Sequence, residues 1–112
     1  MGKFVITKRT NGEFQFNLKG TNNETILTSE GYSTKANCQN GIQSVKLNSQ
    51  DDAKFDRKTS TNGKFYFNLK SSNGQIIGTS EMYESESSRE NGIASVKANA
   101  STASLDRPKP IL

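Results

Sequence analysis

The sequence predicts an α+β fold: two tandem β-β-β-α(-β) repeats that share one antiparallel-rich sheet, with the helices on one face and a pseudo-twofold relating the halves. Three observations predict it. A unit of about fifty residues is written twice. The first part of each copy alternates apolar and polar residues with period two. The second part changes to helical spacing.

The duplication has an offset of 51, so that Asn11 to Asn48 runs without a gap against Asn62 to Asn99, with 20 identities in 38 positions. Asn11-Gly12-Glu13-Phe14-Gln15-Phe16-Asn17-Leu18-Lys19 answers Asn62-Gly63-Lys64-Phe65-Tyr66-Phe67-Asn68-Leu69-Lys70. Thr28-Ser29-Glu30-Gly31-Tyr32 answers Thr79-Ser80-Glu81-Met82-Tyr83, and Asn40 to Lys46 answers Asn91 to Lys97. A weaker echo, slipped by one residue, pairs Ala53–Arg57 with Ala103–Arg107. At 112 residues with 30% hydrophobic content, either unit alone buries little apolar surface. The whole chain is therefore read as one domain, with repeats at 1–53 and 54–107 and a flexible tail at 108–112. Two copies in one chain stand in for a homodimer, so the expected state is a monomer, with a homodimer as the alternative.

The elements follow in order. Phe4 and Ile6 share one face of a first strand. Asn11-Gly12 marks a hairpin, because both residues tolerate positive φ. Phe14, Phe16 and Leu18, and in the second copy Phe65, Phe67 and Leu69, form the buried face of a second strand. Asn73-Gly74 repeats the turn signal and Asn22-Asn23 does so less ideally. Third strands are expected around Thr25–Thr28 and Ile76–Thr79. Cys38, Gly41, Ile42 and Val45 then fall at helical spacing, as do Arg89, Gly92, Ile93 and Val96, with Ser33 or Thr34, and Ser85, as N-caps. Ala53–Lys58 serves both as the strand after the first helix and as the first strand of the second copy. Ser104–Arg107 reads as a terminal strand. Gly41 and Gly92 cost about 1 kcal/mol each inside a helix; close packing of helix on sheet is the expected reason.

Composition removes several chemistries. There is no His, one Cys and no Trp. A zinc ligand set, a Ser-His-Asp triad and a Cys-His pair are all absent, and no disulfide can form within the chain. No cofactor, metal or catalytic residue is predicted, and the chain is read as a non-enzyme. No apolar run is long enough to span a membrane. The start, Met1 to Lys8, has no secretory h-region, and Ile6 stands where a myristoylation signal needs Ser or Thr. The expected compartment is the cytoplasm, with no membrane partner.

The Asn-Gly-Lys-Phe-Tyr-Phe-Asn-Leu-Lys segment, the Thr-Ser-Glu-x-Tyr segments and the Asn-Gly-Ile-x-Ser-Val-Lys helices resemble the YegP-like family of small uncharacterised bacterial proteins. The resemblance spans Lys3 to about Asn99. It implies β-β-β-α-β units in a common sheet with exchanged end strands, here in tandem form. It implies no activity, and no site residue can be carried over.

Two surface features remain as candidate sites. Residues 1–20 and 54–70 carry nine Lys or Arg and two acids, while the rest carries six and nine. If Lys19, Lys64 and Lys70 share the solvent face of the sheet, with Tyr66 among them, that face would attract phosphates. The plainer reading is that these lysines keep the sheet soluble and blunt its edges. The Thr-Ser-Glu-x-Tyr segments place Glu30, Tyr32, Glu81 and Tyr83 where strand meets helix. They can line a pocket or, more simply, serve capping and packing. Cys38 has Arg89 as its counterpart, so the duplication did not need a thiol. The leading expectation is a non-catalytic protein-interaction module. Nucleic-acid binding through a basic sheet face is the alternative, and a carboxylate enzyme using Glu30 or Glu81 is the third.

Overall fold

The computed structural model describes residues 2–106, leaving out the side chain of Asp106. The expected tail at 108–112 and the last residue of the expected terminal strand, Arg107, lie outside them. The chain runs β1 (Lys3–Lys8), β2 (Phe14–Lys19), β3 (Thr25–Thr28), α1 (Lys35–Asn48), β4 (Phe55–Thr59), β5 (Phe65–Lys70), β6 (Ile76–Thr79), α2 (Glu86–Ala100) and β7 (Ser104–Asp106). The strands form one sheet in the order β4-β5-β6-β3-β2-β1-β7. All neighbours are antiparallel except β7, which runs parallel to β1.

Four hairpin turns share one design. Gly12 N donates to Arg9 O and Arg9 N to Glu13 O, and the same pair of bonds closes 20–24, 60–64 and 71–75. These are three-residue loops that need one left-handed residue at their end. Gly12, Gly63 and Gly74 supply it with φ between 83° and 89°, and Asn23 supplies it at 65°. In each Asn-Gly pair only the Gly turns left-handed. A bulge follows in each third strand: Ile26 and Ile77 are the extra residues, and both are buried.

The pseudo-twofold passes through the pair Thr28–Thr79, the point at which β3 meets β6. Both helices cover one face. Each lies on its own repeat's second strand and crosses the axis: α1 reaches over β6, and α2 over β3. Phe4, Phe16, Leu18 and Val45 of one repeat and Phe55, Phe67, Leu69 and Val96 of the other therefore belong to a single core. The Phe4–Phe16 and Phe55–Phe67 rings meet edge-on at 5.7 and 5.6 Å. The caps are Thr34, which accepts from Asn37 N at 3.0 Å, and Ser85, which accepts from Ser88 N at 3.1 Å, each worth about 1 kcal/mol.

Candidate interaction surface

The open face of the sheet carries the side chains that alternate with the core. One row runs in register from β4 to β1: Asp56, Asn68, Thr79, Thr28, Asn17 and Val5. Thr79 Oγ1 donates to Asn68 Oδ1 at 2.8 Å, whereas Asn17 Oδ1 is buried without a hydrogen bond among the described residues. Lys3 and Lys19 face each other on β1 and β2, and Lys19 Nζ reaches Thr25 Oγ1 at 3.3 Å. Tyr66 faces Lys58.

The lysines do not gather. Lys19 and Lys70 are pseudo-equivalents with β3 and β6 between their strands. Lys70 and Lys58 both pair with Asp56, at 3.2 and 3.4 Å. Partial burial raises the Asp56 pKa, but these two ammonium groups outweigh it and hold the carboxyl below its ordinary value. Lys64 sits in the turn before β5 and pairs with Glu84.

The Thr-Ser-Glu-x-Tyr segments interrupt a strand. After Thr28, Ser29 Oγ accepts from Phe16 N at 2.8 Å and donates to Glu30 O. Glu30 and Gly31 swing outward, and Tyr32 returns to exchange both backbone bonds with Phe14. Ser80, Glu81 and Tyr83 do the same on Phe67 and Phe65. Each tyrosine then runs under its helix. A Cβ on Gly41 would lie 2.3 Å from Tyr32 Oη, and one on Gly92 2.4 Å from Tyr83 Oη. The close approach expected of these glycines is therefore to a tyrosine. Burial first, and then Cys38 and Glu30, push the Tyr32 phenol up; burial, Glu81 and Glu24 do so for Tyr83. Glu30 and Glu81 are exposed, and the antiparallel pair Thr28–Thr79 sends them in opposite directions. Carboxylates paired on the axis are not formed. Neither glutamate caps a helix; Thr34 and Ser85 do. Cys38 is fully buried, and burial raises its pKa, so its thiolate is suppressed. Arg89 in its place donates to Lys58 O at 3.2 Å and lies over the Phe65 ring.

Sequence reasoning missed the edge at β4. Arg57 pairs with Glu90 of α2 at 2.9 Å and with Asp52 at 3.2 Å, and Lys97 Nζ reaches Asp52 at 2.7 Å. Arg57 stands where β1 has Ile6, so the apolar face of β1 gives way to ion pairs. The signal was present in the charged run Asp51-Asp52-Ala53-Lys54-Phe55-Asp56-Arg57-Lys58, of which Ala53–Lys58 reads as strand and residues 54–58 as part of a basic segment. Backbone directions follow from alternation. Ser60 N donates to Lys64 O, and Phe65 exchanges bonds with Tyr83. Asp56 and Lys58 thus direct their backbone groups at β5, and Phe55, Arg57 and Thr59 direct theirs outward. No strand lies beyond β4 among the described residues. At the opposite edge β7 pairs with β1, and Leu105 lies beside Gln39, Ile42 and Lys46 of α1. Among the described residues no cluster of His, Cys, Asp and Glu could hold a metal, and no helix is long and apolar enough to cross a membrane.

Known proteins of the same build share this surface's scaffold. The chain is 51% identical over 104 residues to the UPF0339 protein YegP of Escherichia coli K12, covering 93% of this chain and 94% of that one. It is equally similar to a UPF0339 protein from the ptx operon 5′ region of Stutzerimonas stutzeri. The solution structure of E. coli yegP, described as a protein of unknown function, superposes with a TM-score of 0.89 at 50% identity, covering 94% of this chain and 90% of that one. A UPF0339 protein from Shewanella oneidensis gives 0.89 at 47%, covering 94% and 89%. The profile of the domain of unknown function DUF1508 matches twice, at residues 10–56 and 60–106. This chain thus belongs to the DUF1508 family, as a tandem two-repeat member resembling YegP.

Proposed function

We propose that this protein is a non-catalytic interaction module that takes up an extended polypeptide segment along β4. One observation carries the reading: β7 covers the outer edge of β1, while the pseudo-equivalent edge of β4 has no neighbour among the described residues. The tandem linkage explains the difference. The strand after α1 continues as the first strand of repeat two, so β4 serves both roles. Among the described residues only α2 is followed by a strand of its own, and the place beside β4 has no occupant. Strand addition draws its affinity from main-chain hydrogen bonds. That mode suits a chain without His whose one thiol is buried, and a free thiol is at home in the cytoplasm. A phosphate-tracking sheet face is less well supported, because Lys64, Lys58 and Lys70 already have carboxylate partners.

Site-specific photo-crosslinking in cells tests this. A photoreactive residue at Thr59 should give discrete protein adducts, and one at Leu47, which is 75% exposed on α1, should not. Arg57→Pro should abolish the Thr59 adducts. The Arg57 N–H points away from β5, so proline there blocks the edge without costing a ladder bond. If position 59 gives no more adduct than position 47, the reading fails.

A further inference from the structure

We infer that the segment taken up along β4 is β4 of a second copy, paired antiparallel about Arg57, so that two seven-stranded sheets become one; this rests on the edge reading above. The strand reads Phe55-Asp56-Arg57-Lys58-Thr59. In a twofold antiparallel pair, residues facing each other lie on the same face of the sheet, so the axis must pass through a residue paired with itself. Centred on Asp56, the register sets carboxylate against carboxylate. Centred on Lys58, it sets ammonium against ammonium. Centred on Arg57, it sets Asp56 of each copy opposite Lys58 of the other, twice.

The backbone suits that register. Arg57 directs its N–H and C=O outward, so the two Arg57 residues exchange both hydrogen bonds. Asp56 and Lys58 then become the closely spaced pairs, with Cα atoms about 4.5 Å apart, within reach for ion pairing on the open face. The Arg57 side chains lie on the helix face, where each already has Glu90 and Asp52, so their approach is not an uncompensated repulsion. A parallel apolar strand in the manner of β7 fits less well. Leu105 rests beside Gln39 and Ile42, and the equivalent place beside β4 has Glu90 for Gln39 and Arg57 for Ile6, joined as an ion pair. The monomer expected from the duplication is thus replaced by a dimer, because linking the repeats left one edge uncovered.

Sedimentation equilibrium tests it. The native chain should form a dimer that loosens as salt rises. Lys58→Glu and Asp56→Lys should each raise the dissociation constant roughly tenfold or more. Mixed, the two variants should associate, since each supplies what the other lacks. The double variant Asp56→Lys/Lys58→Asp should recover native affinity and serves if Asp56→Lys alone does not fold. A native chain that stays monomeric at its highest soluble concentration overturns the inference, as does a Lys58→Glu variant that dimerises as tightly as native. A monomeric chain whose Thr59 crosslinks reach another protein removes only the second copy; a monomer with no such crosslinks removes the edge reading too.

Discussion

Leu27 occupies the room that a side chain on Gly78 would need: a Cβ there would stand 2.7 Å from Leu27 Cγ and Cδ2. The two positions are pseudo-equivalents beside the axis, so one leucine does the filling for both repeats. Making the repeats alike by Gly78→Leu should destabilise by about 1–3 kcal/mol through overpacking. Leu27→Ala should cost about 2–5 kcal/mol through the cavity left. The exchange Leu27→Gly/Gly78→Leu should recover much of both losses, as urea midpoints would report. Additive losses in the exchange variant would contradict this account.

Gly41→Ala ordinarily gains about 1 kcal/mol in a helix. Here it should lose about 1–3 kcal/mol, since the new methyl meets Tyr32 Oη and Cζ. Tyr32→Phe removes the oxygen and should rescue part of that loss, giving a non-zero coupling in a double-mutant cycle. Gly92 with Tyr83 should repeat the pattern. Thermal melts of the four proteins in each cycle decide it.

Ser29 and Ser80 close the buried N–H groups of Phe16 and Phe67. Ser→Ala at either position orphans a donor and should cost about 1–3 kcal/mol. Ser→Thr, which keeps the hydroxyl, should cost less. Amide exchange of Phe16 and Phe67 should accelerate selectively in the alanine variants.

Acid should loosen the β4 edge. Arg57 holds the Glu90 carboxyl below its ordinary 4.5, and Lys97 and then Arg57 hold Asp52 below 3.8. A carboxyl lowered in the folded state stabilises above its unfolded pKa, and that contribution disappears as pH falls through the folded value. Stability should therefore be level from neutrality down to about pH 4.5 and decline below it. The share due to Glu90 is about 0.5 kcal/mol, because its side chain is 44% exposed. Glu90→Gln should flatten that part of the slope in urea midpoints measured against pH.

Strands, helices and caps were legible because period two, period 3.6 and cap chemistry are local. Phe14-Gln15-Phe16-Asn17-Leu18 can satisfy only one face, and Ser85 needs only its own first turn. The repeat itself gave the common sheet. What stayed hidden depends on partners distant in sequence. Gly41 announced a close approach, but nothing local names Tyr32 as its cause. The Thr-Ser-Glu-x-Tyr segment looked like a pocket rim or a cap. Its role as a strand interruption appears only once Ser29 is seen on Phe16 and Tyr32 on Phe14. Arg57 carried no local signal of its ion pair, because its partner Glu90 lies 33 residues away.

Because α1 lies across β6 and α2 across β3, neither half encloses a core of its own. Cut in the connection at Gln50–Asp51, the chain would give two pieces that are each other's missing wall. Such pieces are expected to be unstructured apart and to regain the native sheet on mixing, so that folding of the cut protein becomes a bimolecular step whose rate and extent depend on concentration.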